Sequence, residues 1–240
     1  MGAAASFALD FLLPPACPVC RARCDRNGAL CAECWNGLDF LTPPWCDVLG
    51  TPLPYDPGVP TISPAATADP PPWQRARAAV IYGERAARLV SALKYRDRME
   101  VARPMAAMMA RAGAELLADC DLIIPIPLHY RRLWARRFNQ SGELARHLKH
   151  LSGKPGVNDA LIRLRPTRRQ VGLNATARAR NVAGAFRVAP DRTADVSGRR
   201  VLLVDDVLTT GATLRAAARA LRRAGAIVDV LTFAMVVEDA

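Results

Sequence analysis

The sequence predicts an α/β fold, in which a parallel sheet is flanked by helices and is preceded by a small cysteine-rich module. From residue 77 onward, short apolar runs alternate with helix-length segments, a pattern typical of parallel sheets covered on both faces. Six of the seven cysteines lie before residue 50, and ten of the nineteen prolines lie between residues 43 and 72. We therefore expect a module at 1–50, a proline-rich linker at 51–75 and the α/β domain at 76–240.

The apolar runs of the larger domain predict its strands, at 78–82, 122–126, 161–164, 200–205 and 227–236. Segments with helical periodicity predict helices at 84–94, 102–118, 140–151 and 213–223, the last one ended by Gly225. The stretch from 165 to 181 is basic and irregular. The proline-rich segment is expected to be extended and free of helix, because proline lacks an N–H donor.

Charge and hydropathy restrict the class of protein. The net charge of +11 comes almost wholly from arginine, and an excess of basic residues favours polyanionic partners such as phosphates or nucleic acid. A GC-rich genome would explain arginine over lysine but not that excess. No apolar run approaches the roughly 18 residues that span a bilayer, and the N-terminal stretch lacks a basic region typical of signal peptides. The sequence therefore predicts a protein without a membrane span, and the Cys-x-x-Cys spacing of its cysteines, which is typical of metal sites rather than disulfides, predicts a reducing cytoplasm.

The segment 201–213 carries the strongest functional signal. An apolar strand ends in Asp205 and Asp206, where open α/β sheets bind ligands. Small and hydroxylated residues then open a helix, which offers backbone N–H groups and a positive helix end to a phosphate. Gly211 allows close approach or a positive φ. The alternative is a strand, turn and helix in which Asp206 or Thr209 is only an N-cap.

This segment resembles the 13-residue signature of type I phosphoribosyltransferases. The resemblance implies that Asp205 and Asp206 contact ribose hydroxyls and that residues 209–213 hold the 5-phosphate of 5-phosphoribosyl 1-diphosphate (PRPP), with Mg²⁺ accompanying that ligand. The implied binding set is Asp205, Asp206, Val207, Leu208, Thr209, Thr210, Gly211, Ala212 and Thr213.

Two further stretches resemble the ComF family, which is linked to bacterial competence. One runs from Ile124 to His129 and continues through Arg132, Arg136 and the sequence Phe-Asn-Gln at 138–140; it departs from the family pattern at Arg137. The other extends from 163 to 186. The resemblance implies pyrophosphate or flap contacts by Pro127, Leu128, His129, Arg132, Arg136, Arg163, Gln170 and Arg178. A solvated helix face or a charged loop is the alternative for these arginines.

The cysteine spacing predicts a structural zinc site. Cys17 with Cys20 and Cys31 with Cys34 form two Cys-x-x-Cys knuckles, which can close a tetrahedron of thiolates around Zn²⁺. Cys24 and Cys46 have no such partner; ComF-like proteins often carry a further knuckle, in which Leu49 replaces the second cysteine here, so a second site looks degenerate. Cys120 is expected to be a buried core residue.

The ComF resemblance implies a protein that binds PRPP or phosphoribose and single-stranded DNA during natural transformation, with a competence helicase or other DNA-processing proteins as partners. Trp35 and Trp45 could stack on bases or could pack the zinc module. One alternative is an active phosphoribosyltransferase that releases pyrophosphate; another is a PRPP-sensing regulator without catalysis. Fold resemblance does not choose among them.

Overall fold

The computed structural model describes residues 15–24, 26, 28–94, 96–128, 138–164 and 184–237, without the side chains of 96–98. Its centre is a four-stranded parallel sheet in the order β1, β6, β5, β2. The strands are β1 (Ala76–Ile81), β2 (Leu122–Pro125), β5 (Arg200–Leu208) and β6 (Ile227–Met235). A separate antiparallel pair consists of β3 (Leu161–Arg163) and β4 (Phe186–Val188).

The sheet separates two hydrophobic cores. Because successive side chains of a strand point to opposite faces, Leu202 and Val204 of β5 pack into one core, while Val201 and Leu203 pack into the other. The first core lies under α3 (Glu84–Ala92), α4 (Ala102–Ala112), α5 (Ala114–Asp119) and α6 (Gln140–Ser152). The second lies under α8 (Ala212–Arg223). Helices on both faces confirm the predicted α/β architecture.

Short elements complete the described chain. They are α1 (Ala32–Asn36), α2 (Pro64–Ala68), α7 (Thr193–Val196) and two 3₁₀ helices at Arg96–Val101 and Pro190–Arg192. Cys120 is buried and its thiol donates to the carbonyl of Leu117, as expected for a core cysteine.

Two local predictions were wrong. The expected helix at 102–118 is interrupted at Gly113, where a Cβ atom would lie 2.7 Å from Leu231 Cδ1 of β6; the missing side chain permits this close approach to the sheet. The proline-rich segment contains a helix, α2, because Ser63 caps it and Pro64 occupies its first turn, where the missing N–H costs nothing.

The N-terminal module covers the outer edge of β1. Phe40 forms an antiparallel bridge with Val80, and the N–H of Ile81 donates to the carbonyl of Asp39 at 2.8 Å. Next to it, the guanidinium of the buried Arg77 donates to the carbonyl of Asp47 at 2.8 Å and stacks over the ring of Trp45. An edge strand is thereby protected from pairing with another chain, and the module is joined to the sheet.

Candidate ligand site and metal centre

A cavity of about 320 Å³ lies at the carboxyl ends of β1, β2 and β5. The residues of the predicted phosphoribose set that line it are Asp205, Asp206, Val207, Thr209, Gly211, Ala212 and Thr213. The other two do not line it: Leu208 is buried in the second core and Thr210 is exposed. The carboxyl ends of parallel strands are the usual ligand site of open α/β sheets.

The two carboxylates lie where β5 extends past its neighbour β2. The last paired residue of β2, Pro125, lies opposite Val204, whereas β5 continues along β6 as far as Leu208. Strand β5 is therefore longer than the predicted 200–205, because β6 continues to pair with it. Asp205 and Asp206 consequently face a cavity instead of a neighbouring strand on the β2 side.

The environment of Asp205 changes its acidity. Burial, followed by repulsion from Asp206, raises the pKa of Asp205 to about 7. Two donors oppose that rise: the hydroxyl of Ser141 and the N–H of Asp206 bind Asp205 Oδ1 at 2.8 and 2.9 Å. Asp205 therefore titrates near neutral pH, and both aspartates can accept hydrogen bonds from vicinal hydroxyls when ionised.

The turn between β5 and α8 has the features of a phosphate cradle. Gly211 is the N-cap of α8 with φ +71°, and as a glycine it has no side chain with which to cap the helix. The first N–H groups of a helix have no intrahelical acceptor, so the first turn of α8 directs donors and a positive dipole toward the cavity. Thr209 and Thr213 add hydroxyls on either side.

The structure describes only some of the predicted pyrophosphate and flap residues. Leu128 and Arg163 line the cavity, and Arg163 also stacks over Phe186 of β4. Pro127 follows β2 and is half-buried without lining the cavity. The remaining members, His129, Arg132, Arg136, Gln170 and Arg178, lie outside the described residues.

Several cavity residues were absent from the predicted site set. Tyr82 and Lys94 come from the β1–α3 unit, and Gln140 and Ser141 come from the start of α6. Among the described residues, the ammonium of Lys94 forms no hydrogen bond or ion pair. The signals available in the sequence were the place of Gln140 in the Phe-Asn-Gln motif and that of Tyr82 at the end of the predicted strand 78–82. Their convergence depends on strand order, which the sequence pattern does not specify.

The four knuckle cysteines form a compact cluster. The Sγ atoms of Cys17, Cys20, Cys31 and Cys34 all lie within 4.8 Å of one another, close to the S···S separation of about 3.8 Å expected around tetrahedral zinc. The N–H groups of Val19 and Cys34 donate to sulfurs of this cluster. Burial and the neighbouring sulfurs raise the pKa of the Cys34 thiol, so a cation is needed to hold four thiolates together. The donor set fits a structural Zn²⁺ ion.

The chain is similar to families and proteins that match this architecture. A double zinc ribbon domain family matches residues 8–65, and a phosphoribosyl transferase domain family matches residues 141–239. The DNA utilization protein YhgH of Salmonella typhimurium is 38% identical over 163 residues, which cover 65% of this chain and 70% of the relative. Competence protein F of Haemophilus influenzae is 30% identical over 205 residues, 83% of this chain and 86% of the relative. The chain belongs to the ComF family.

A solved orotate phosphoribosyltransferase from Aeropyrum pernix overlaps 66% of the ComF-family chain and 80% of its own, at 20% identity and a TM-score of 0.34. The two family matches and the cysteine cluster confirm the predicted phosphoribosyltransferase-like fold with an N-terminal zinc ribbon. In the described part of the chain, no helix combines the length and apolar character needed to cross a membrane.

The second half of the zinc ribbon region differs from the first. Within the described residues, the four-cysteine cluster is the one group of side chains arranged for a metal ion. Cys46 Sγ instead accepts hydrogen bonds from the N–H groups of Leu49 and Ser63, at 3.4 and 3.3 Å. We call the segment of residues 45–63 the second ribbon. These hydrogen bonds hold it, together with β-bridges from Trp45 to Pro52 and from Cys46 to Thr61. Its residues do not fit a second zinc ion.

Proposed function

We propose that this ComF-family protein binds PRPP or a related phosphoribosyl ligand in the cavity and binds single-stranded DNA, acting in the cytoplasm in DNA uptake for natural transformation. The observation that carries the ligand proposal is the position of Asp205 and Asp206 beside the uncapped N-terminus of α8. Two acids beside a phosphate cradle are repulsive toward an anion unless they bind another part of the same molecule. Vicinal ribose hydroxyls are such a part.

The cavity offers a place for each part of the ligand. The 5-phosphate would accept hydrogen bonds from the first turn of α8 and from Thr209, while the ribose hydroxyls would donate to the paired carboxylates. Lys94 and Arg163 also line the cavity and supply positive charge for a diphosphate. Mg²⁺ would accompany that diphosphate and neutralise part of its charge.

Single-stranded DNA is proposed as the macromolecular partner. The net charge of +11 favours a phosphodiester chain, and the related proteins are named for DNA utilization and competence. A competence helicase or another DNA-processing protein is the proposed protein partner.

A transferase activity is the second candidate. A lysine and an arginine beside the carboxylates are suited to stabilise pyrophosphate as it leaves the ribose C1 while a nitrogen nucleophile attacks. Release of pyrophosphate from PRPP in the presence of a panel of nitrogen bases would support this candidate. PRPP binding without release under any acceptor would favour the non-catalytic function, as would be expected of a PRPP-sensing regulator.

Calorimetry with PRPP and Mg²⁺ tests the ligand proposal. We expect the double variant Asp205→Asn with Asp206→Asn to lose affinity by at least about tenfold while it stays folded, because a neutral amide accepts weaker hydrogen bonds than a carboxylate. The control is Asp191→Asn with Asp195→Asn, which removes the same charge from exposed acids near α7. Equal PRPP affinity in the wild type and the Asp205/Asp206 variant would refute the ribose role.

A further inference from the structure

Trp73 lies between the second ribbon and the phosphate cradle. Its side chain is 5% exposed, and its indole Nε1–H donates to the carbonyl of Val48 at 3.0 Å. The opposite edge of the ring faces Gly211: a Cβ atom placed on that glycine would lie 3.4 Å from Trp73 Cη2. One side chain therefore touches both the ribbon turn and the N-cap of α8.

Trp73 is adjacent to Gly211, the residue whose backbone conformation sets the geometry of the phosphate cradle. Gly211 has φ +71°, in the left-handed region of backbone conformations. Glycine adopts this conformation without steric cost, but it adopts other conformations equally readily. Trp73 Cη2 and Leu208 Cδ1 each lie 3.4 Å from the ideal Cβ position of Gly211, so both side chains border the side of this residue on which a Cβ atom would stand. Packing from the two side chains restricts a position that would otherwise be free to change conformation.

Arg215 reinforces the same contact from α8. Its guanidinium stacks over the Trp73 ring at 5.5 Å and pairs with Asp69 at 2.9 Å, in the segment that precedes the tryptophan. Its backbone N–H donates to the carbonyl of Gly211 at 2.7 Å. The side chain of Arg215 thus attaches the first turn of α8 to the segment leading to Trp73, while its backbone N–H ties Gly211 to the helix.

The ribbon end of the connection is also immobilised. Val48 lies in the turn whose sulfur, Cys46 Sγ, accepts hydrogen bonds from Leu49 and Ser63. Gly50 closes that turn against β1, where a Cβ atom would lie only 2.4 Å from the carbonyl oxygen of Ala76. The carbonyl that receives the indole N–H is therefore part of a turn fixed on the sheet, although no metal ligands hold it.

We propose that Trp73 is a positioning residue that holds Gly211, and with it the phosphate cradle, in the conformation that receives the ligand's phosphate, using the second ribbon as its support. The second ribbon thereby stabilises the ligand site instead of binding a second zinc ion. The effect on ligand affinity rests on the proposed phosphoribosyl-binding function. If the cradle is already ordered before the ligand binds, the free-energy cost of ordering it on binding is smaller and the affinity is higher.

Hydrogen exchange in the ligand-free protein tests the positioning role independently of the ligand. We expect Trp73→Ala to raise the amide exchange of residues 209–215, because the packing on Gly211 is lost. Trp73→Phe, which keeps a ring but cannot donate to Val48, should give an intermediate increase. Trp35→Ala is the control, since Trp35 lies outside the second ribbon and packs against Phe40; it should leave exchange at 209–215 unchanged.

Affinity and fluorescence complete the test. For PRPP with Mg²⁺, measured well below the unfolding midpoint of each variant, we expect a loss of about tenfold for Trp73→Ala and less than about twofold for Trp35→Ala. In a Trp134→Phe background, which removes the tryptophan of the predicted pyrophosphate stretch, the protein should change its tryptophan fluorescence on binding, a change retained by Trp35→Phe and lost in Trp73→Phe.

The outcomes separate the two proposals. Unchanged exchange at 209–215 in Trp73→Ala, or an equal increase in Trp35→Ala, overturns the positioning role. Faster exchange at 209–215 in Trp73→Ala, without an increase in the control variant, supports the positioning role whether or not the wild type binds PRPP. If the wild type binds no PRPP, that result refutes the proposed function and not the positioning role. Wild-type affinity in Trp73→Ala, beside lost affinity in the Asp205/Asp206 variant, would overturn the positioning role and leave the function standing.

Discussion

The hydroxyl of Ser141 donates a 2.8 Å hydrogen bond to Oδ1 of Asp205, which joins the first turn of α6 to the end of β5. The bond orients one of the paired carboxylates at the cavity and stabilises its ionised form. A serine 64 residues away in the chain therefore influences when this carboxylate can accept a hydrogen bond from a ligand.

Ser141→Ala should weaken phosphoribosyl binding and move its pH dependence. Without the hydroxyl donor, the pKa of Asp205 rises further above its present value of about 7, so affinity should increase with pH through a midpoint that lies higher than in the wild type. The loss at pH 7 should be about 1 kcal/mol, the value of one hydrogen bond. Ser152→Ala, which removes the Ser152 bond to Leu148 on the same helix, should leave the midpoint unchanged.

Asp205→Asn should change the dependence of stability on pH. The pKa of Asp205 is raised from 3.8 to about 7, so the folded state binds a proton that the unfolded state has released, and wild-type stability falls as pH rises from about 4 to 7. The variant lacks this group. Its free energy of unfolding relative to the wild type should increase by about 2 to 4 kcal/mol between pH 4 and 7.5, where the upper figure is the full linkage value for a pKa raised from 3.8 to about 7.

Urea unfolding at both pH values measures this difference, with Asp191→Asn as a control at an exposed acid. A constant difference between wild type and Asp205→Asn across the range would contradict the raised pKa.

Lys94→Gln should weaken binding of PRPP more than binding of ribose 5-phosphate. Its ammonium lines the cavity, and the diphosphate of PRPP carries the additional negative charge that it would contact. We expect a loss of about tenfold for PRPP, because hydrogen bonds to charged groups contribute roughly 1.5–3 kcal/mol. Lys149→Gln removes the same charge from a lysine of α6 that does not line the cavity. Equal losses for both ligands would exclude a diphosphate contact.

Elemental analysis should find one zinc ion per chain. The double variant Cys17→Ser with Cys31→Ser should lose it and unfold the surrounding segment, because this small module depends on the metal for stability. Cys46→Ser should retain one ion, since Cys46 binds backbone N–H groups. Two ions per chain, or retention of zinc in the double variant, would contradict a single four-cysteine site.

Binding of single-stranded DNA should depend steeply on salt. Log K should fall by about 0.7 per neutralised phosphate for each unit of log salt concentration. If the basic stretches at 132–137 and 163–178 contact the strand, neutralising Arg132, Arg136, Arg163 and Arg178 should flatten that slope. Gel-shift titrations at several salt concentrations measure it, and PRPP should compete if the strand enters the cavity. Binding that ignores both salt and these arginines would contradict an electrostatic track.

The sequence alone determined the features that are contiguous along the chain. The acids, small residues and hydroxyls of 201–213 are adjacent in sequence, so their placement at a strand end and helix start followed from local pattern and turn chemistry. The two cysteine pairs likewise have a spacing that only a compact knuckle satisfies.

Only the tertiary structure decided which distant residues meet those features. Strand order brings Lys94 and Ser141 to the same cavity as Asp205, and apolar patterning does not specify strand order. The close approach of Gly113 to Leu231 and the packing of Trp73 against Gly211 are likewise contacts between segments far apart in sequence. The conformational preferences of a short stretch of sequence do not predict such contacts, because the free energy of a contact depends on the side chains that surround it in the folded state.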